Sequence, residues 1–214
     1  MKRRTLDIVL STGGVIGAIL VFVLGLVFQG LSNYATDYAA DQLGAQKIFF
    51  TPVAGLHGEQ DAPGGECLVT YAEQQLLTGK QAECYANQYI AFHLAESAVE
   101  AGYPEATYAT MGGEIGSLRA DLETATTSGQ PLDDGRTAEQ IQEQITEASA
   151  LRESMFKGES LRGLLLTVYG FSVFGDLGGI AAIVCFLAAA VLVLLSVAGF
   201  IHAFRTPEEQ KVFV

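Results

Sequence analysis

The sequence predicts an all-α membrane protein, with two transmembrane helices that extend into an extracytoplasmic helical bundle closed by one disulfide. Three observations carry this. Half of the 214 residues are hydrophobic and the mean hydropathy is +0.31, yet the formal net charge is −12, so apolar and acidic residues must occupy different parts of the chain. Residues 8–31 contain no Asp, Glu, Lys or Arg over 24 positions, and residues 177–204 contain none over 28; about 20 apolar residues are enough to cross a hydrocarbon core. Between these runs, residues 32–161 hold 20 Asp and Glu against six Lys and Arg. So acidic a segment faces water and repels nucleic acid and anionic lipid surfaces.

The short flanks set the orientation. Lys2, Arg3 and Arg4 precede the first apolar run, and Arg205 and Lys211 follow the second, whereas only Lys47 follows the first run closely. Positive flanks stay cytoplasmic. Both termini are therefore expected inside, with the organisation 1–7 cytoplasmic, 8–31 first span, 32–160 acidic extracytoplasmic helical domain, 161–175 interfacial or packed helix, 176–204 second span and 205–214 cytoplasmic tail. A cleaved secretory signal is the competing reading, since "YATDYAA" offers small residues to a peptidase. The apolar core of such a signal is about 7 to 15 residues, much shorter than this run.

The first helix has no breaker at its outer end, and Tyr34, Tyr38 and Ala45 follow Leu31 at helical spacing. Pro52 and "GLHGEQDAPGGE" form a loop of turn-forming residues. A helical pattern returns from Leu68 to about Ala101, with a bend expected at "TGK", and Tyr85, Tyr89 and Phe92 share one face. "GYP" at 102–104 stops it, because Gly and Pro oppose continuation. A short piece follows, with a break expected at Gly112 and Gly113; Ile115, Leu118, Leu122 and Ala125 then mark another amphipathic helix. "SGQPLDDG" is a surface loop. Thr137 with Gln140 forms a capping box, and Ile141, Ile145, Ala148, Leu151 and Met155 repeat at threes and fours behind it.

Asp176 stands in the longest apolar stretch of the chain. A single helix over residues 163–204 would run about 63 Å at 1.5 Å per residue, roughly twice the apolar thickness of a bilayer. Asp176 is therefore expected to mark the membrane boundary as the N-cap of the second span, its charge matching the positive end of the helix dipole. The alternatives are a boundary one turn earlier and a buried functional carboxylate.

Cys67 and Cys84 lie in the acidic segment and Cys185 lies alone in the second apolar run. In an oxidising compartment the first two are expected to form a disulfide. His57, Cys67, Cys84 and His93 lack the close ligand pairs of zinc motifs, so no metal site is expected. There is no C-x-x-C-H run for haem, no G-x-S-x-G for a hydrolase, and "MGGEIGSL" lacks the Lys of a phosphate-binding loop. No cofactor and no enzymatic activity are expected. Gly13 and Gly17 form a G-x-x-x-G, and Ala181, Ala182, Ala188, Ala189 and Ala190 give the second run small faces. Such faces suit close packing, of the two spans on each other or on another membrane subunit.

"GESLRGLLLTVYGFSVFG", "GFIHAFR", "TGKQAECYANQYIAFHLAE" and "ATYATMGG" together resemble a group of uncharacterised two-span membrane proteins of actinobacteria. The resemblance implies a bacterial plasma-membrane location and no catalytic residue. Members of the group are sometimes labelled aromatic ring-opening dioxygenases, a chemistry that needs iron held by histidines and a carboxylate. The expected topology puts His202 at the cytoplasmic edge and His57 and His93 outside, so the three do not share a site.

The function expected is that of an accessory or scaffold subunit of a membrane complex, with the lipid bilayer and another integral membrane protein or a second copy as partners. Only ten residues follow Phe204, so any signal would pass through a partner. The alternative is an extracytoplasmic ligand-binding or sensing module using the face of Tyr85, Tyr89 and Phe92 as its pocket.

Overall fold

The computed structural model describes residues 2–207 and 210; Lys211, which entered the orientation argument, lies outside them. Six α-helices are described: α1 (Arg3–Ala45), α2 (Glu66–Thr70), α3 (Gly79–Cys84), α4 (Ala91–Glu100), α5 (Tyr108–Ser128) and α6 (Ala138–Arg205), with a π-helical turn at Tyr85–Ile90 joining α3 to α4. No strand occurs among the described residues, although an isolated antiparallel bridge joins Phe49 to Gln75. Two compact units result: Met1–Asp41 with Phe171–Val214, and Gln42–Gly170.

The first unit is an antiparallel pair made from α1 and the C-terminal part of α6. Small residues set its register. A Cβ on Gly14 would overlap the Ser196 hydroxyl, one on Gly199 would overlap the Ser11 hydroxyl, and one on Gly25 would fall 2.7 Å from Phe186 Cε1. Ala18, Ala182, Ala189 and Ala203 are buried along the same seam, with Ser11 and Ser196 beside them. Small side chains let backbones approach and gain dispersion contacts along the full crossing. Of the expected G-x-x-x-G, Gly17 lies at the edge of this seam, where a Cβ would stand 3.9 Å from Leu192 Cδ1, while a Cβ on Gly13 would meet nothing within 4 Å. Asp7 Oδ2 and His202 Nδ1, 2.9 Å apart, tie the two helices near their ends.

Asp176 does not cap a helix. It is an exposed residue inside the 68-residue α6, and residues 161–175, expected as a separate helix, are the middle of α6. An N-cap requires a non-helical backbone, and no proline lies between 138 and 205 to impose one. The glycines around it cost helix propensity, but a Cβ on Gly175 would fall 3.1 Å from the Ala35 Cβ, a close approach that glycine permits, while Gly178 packs beside the Phe28 carbonyl.

The second unit contains two apolar cores. One combines Met111, Ile115, Leu118 and Ala125 of α5 with Ile141, Ile145, Ala148, Leu151 and Met155 of α6, and Ala98 of α4. These are the residues whose spacing predicted the helices. Contrary to expectation, α5 runs unbroken through Gly112 and Gly113, because Met111 and Ile115 on either side are fixed in the core at 0% and 6% exposure. Thr137 and Gln140 form the predicted capping box, with Thr137 N–H donating to Gln140 Oε1 at 2.9 Å. Arg136 closes the loop ahead of it, donating to Asp121 and Asp134 at 2.6 Å each.

The other core gathers Leu43, Phe50, Leu68, Leu76, Ala82, Ala86 and Leu165 around the Cys67–Cys84 disulfide, whose Cα atoms are 6.1 Å apart. Leu165 and its neighbours Leu166 and Val168 show that this part of the 161–175 stretch packs against the disulfide-linked segment. The helix expected over 68–101 is interrupted, not bent: α2 ends at Thr70, and residues 71–78 carry the hydrogen bonds Phe50 N to Gln74 O and Leu76 N to Ile48 O. Thr78 then starts α3 through a capping box with Gln81, a T-x-x-Q pattern legible in the sequence but unused in the reading of it.

Gly65 permits the tightest backbone approach in the loop before α2. A Cβ there would overlap the Glu59 carbonyl oxygen and fall 2.9 Å from that of Ala62. Gly65→Ala is expected to cost about 1–3 kcal/mol through forced displacement of the loop. Thermal unfolding followed by circular dichroism measures it; a midpoint equal to that of the parent chain contradicts the close approach.

Candidate functional site

The disulfide and the π-helical turn place a row of rings along one side of the second unit. A π turn inserts a residue into the helical ladder and re-aims the side chains around it. Tyr85 stacks on Tyr89 with ring centroids 4.8 Å apart and meets Phe50 edge-on at 5.4 Å. Tyr89 in turn meets His93 at 4.5 Å, and Phe92 meets His93 at 5.7 Å. The three residues named as a possible pocket face are half-buried and in contact with these neighbours. Burial, and then the neighbouring Tyr89, push the Tyr85 hydroxyl up to about 12, so it stays protonated at neutral pH.

At the end of the row lies a buried carboxylate. Glu59 is 0% exposed and sits in the short 3-10 turn Glu59–Asp61. Its Oε2 accepts the His57 backbone N–H at 2.7 Å, and its Oε1 lies 3.4 Å from His93 Nε2. Neither Oε1 nor Nε2 has a well-aligned hydrogen-bond partner. Burial raises the pKa of Glu59, but the backbone N–H groups of Glu59 and His57 and the charges of His93 and His57 outweigh it, leaving the group below its ordinary value of 4.5. His93 Nδ1 lies 3.3 Å from Glu96 Oε2. The imidazole is thus held between two carboxylates and two rings. These contacts bring the Gly-rich loop against α4.

Of the four residues weighed as metal ligands, Cys67 and Cys84 are consumed by the disulfide and His57 is exposed, while His93 pairs with Glu59. Among the described residues no three His, Cys, Asp or Glu side chains gather as a metal site. Glu59 was missed in the sequence because "HGEQDAPGG" reads as a solvated turn; an acidic residue among glycines carries no sign of burial.

A second feature without a sequence signature is a groove of about 390 Å³ between α5 and α6. Tyr108, Ile115, Arg119, Ser149, Arg152 and Phe156 line it. Arg152 Nε donates to the Tyr108 carbonyl at 3.1 Å, and its guanidinium stands 4.1 Å over the Tyr108 ring. Tyr108 and Phe156 contact each other at 5.5 Å. Compared with known proteins, the chain matches no family model, no curated protein sequence and no solved structure.

Proposed function

We propose that this protein is an integral membrane protein of the bacterial plasma membrane, with both termini in the cytoplasm and the acidic second unit outside, serving as an accessory subunit of a membrane complex. The observation that carries the reading is the exposure of the apolar helices. Only 11% of the most apolar 18-residue window in α1 and 17% of that in α6 is buried. A helix from the core of a soluble protein would be covered on most sides. Here Leu20, Leu31, Leu194 and Phe204 are each at least 59% exposed, so the pair has an apolar outer surface that its own packing leaves uncovered. Such a surface belongs in lipid or against another membrane-embedded chain.

Orientation rests on charge. Lys2, Arg3, Arg4 and Arg205 flank the apolar pair at one end, while residues 32–161 carry the acidic excess. The disulfide accords with an oxidising compartment. The actinobacterial resemblance is the source of the bacterial assignment. The non-catalytic reading takes the buried Glu59 as a structural group, since its Oε2 accepts the His57 backbone N–H in the loop before α2.

Two measurements test this. Tags fused to each end of the chain are expected to react with a membrane-impermeant label only after the cells are opened. Purification in mild detergent is expected to retain a second integral membrane protein in fixed ratio, identified by mass spectrometry. Labelling of either tag in intact cells overturns the topology, and recovery of the chain alone as a monomer overturns the accessory role.

A further inference from the structure

We propose that the groove between α5 and α6 is a binding site for a small aryl carboxylate, with the anion held by Arg119 and Arg152 and the aromatic body lying against Tyr108 and Phe156. The inference is independent of how the chain sits in a membrane. It begins from an imbalance of charge. In a segment with 20 acidic residues and six basic ones, a cation without a carboxylate partner is unexpected. Lys80, Arg136 and Lys157 are paired, to Glu83, to Asp121 with Asp134, and to Glu153. Lys47, Arg119 and Arg152 form no ion pair among the described residues, and of these the two arginines line the same groove.

The groove also lacks a free negative charge among its lining residues. Glu153 is the carboxylate there, and Lys157 Nζ holds it at 2.7 Å. What faces an incoming ligand is therefore net positive. Arg152 is fixed in place before any ligand arrives, since its Nε is bonded to the Tyr108 carbonyl and its plane lies over the Tyr108 ring. Its Nη groups remain available, and a guanidinium presents paired N–H donors that match the two oxygens of a carboxylate. Gly112 leaves room beside them: a Cβ at that position would lie 3.6 Å from Nη2.

The rest of the wall specifies an aromatic body. Tyr108 and Phe156 are 42% and 54% exposed although they touch each other, and Ile115 closes the floor at 6%. Two exposed rings in contact form a surface on which a third flat ring can stack. The volume falls within the range of about 300–1,000 Å³ typical of small-molecule sites. A simple inorganic anion would leave the rings uncovered, and a neutral arene would leave two cations unpaired.

The test uses the full chain in nanodiscs and 4-fluorophenylacetate, followed by ¹⁹F NMR line broadening, with lipid-only nanodiscs as the blank. Saturable binding with a Kd of about 1 mM or tighter is expected. Acetate and the neutral 2-(4-fluorophenyl)ethanol should compete at least about tenfold more weakly, a decade in Kd. Arg152→Gln and Phe156→Ala should each weaken binding by about tenfold or more. Arg119→Gln should do the same, and Arg119 forms no hydrogen bond or ion pair among the described residues, so that variant separates lost binding from lost structure. Absence of saturation, equal competition by the alcohol, or unchanged binding in a folded Arg119→Gln chain each overturns the proposal.

Discussion

Replacing Cys67 and Cys84 together with serine is expected to destabilise the Gln42–Gly170 unit by about 3 kcal/mol, lowering its thermal midpoint by roughly 10 °C. The bridge joins residues 17 apart in sequence, so reducing it returns the closure entropy of that loop to the unfolded chain. Packing adds to this. Cys84 is 5% exposed within the core that includes Leu68, Leu76 and Ala82, and serine hydroxyls there would need partners that apolar neighbours do not supply. Circular dichroism of the purified protein with and without a thiol reductant gives the measurement. The parent chain plus reductant should approach the double variant, which should not respond to reductant. If the parent chain keeps its midpoint when fully reduced, the bridge does not hold this unit together.

Glu59→Ala is expected to cost about 2 kcal/mol, because it removes the acceptor of the His57 backbone N–H and leaves His93 Nε2 without its carboxylate. Glu59→Gln retains the shape and one acceptor oxygen, and should cost less. The same carboxylate predicts a pH dependence. Its pKa in the fold is below the 4.5 of an ordinary glutamate, so the unfolded chain binds the proton more readily than the folded one. Its contribution is then complete above about pH 4.5 and is withdrawn as the pH falls through the lower folded value. Unfolding midpoints measured from pH 6 downward should decline below about 4.5 in the parent chain, and less steeply in Glu59→Gln. Parallel declines in the two proteins would show that Glu59 carries none of this dependence.

Much of the helical layout was legible because it is written in local patterns. Spacing gave the core residues Ile141, Ile145, Ala148, Leu151 and Met155, and the Thr137–Gln140 box gave the start of α6. "GYP" ended α4 where Gly102 turns to φ +82°, a conformation glycine adopts without steric cost. The two cysteines outside the apolar runs gave the disulfide. Two boundaries were misjudged for different reasons. Gly112 with Gly113 lower helix propensity by an amount that the packing of Met111 and Ile115 repays, whereas the break at Asp176 was set by the thickness of a bilayer, which limits how much of a helix lies in lipid but does not oblige the helix to end. The opposite error occurred at 71–78, where pairing with residues 48–50 won over a helix that the local pattern allowed.

What the amino-acid order determined alone is the separation of this chain into two apolar helices and an acidic, disulfide-bearing middle, since hydropathy, charge and capping act within a few residues of one another. Tertiary structure alone decided which glycines meet across the helix pair, that Glu59 is buried against His93, and that Arg152 lies over Tyr108, 44 residues away in sequence. Such meetings depend on how packed helices are placed in space, and no periodicity along the chain encodes the partner of a side chain on another element.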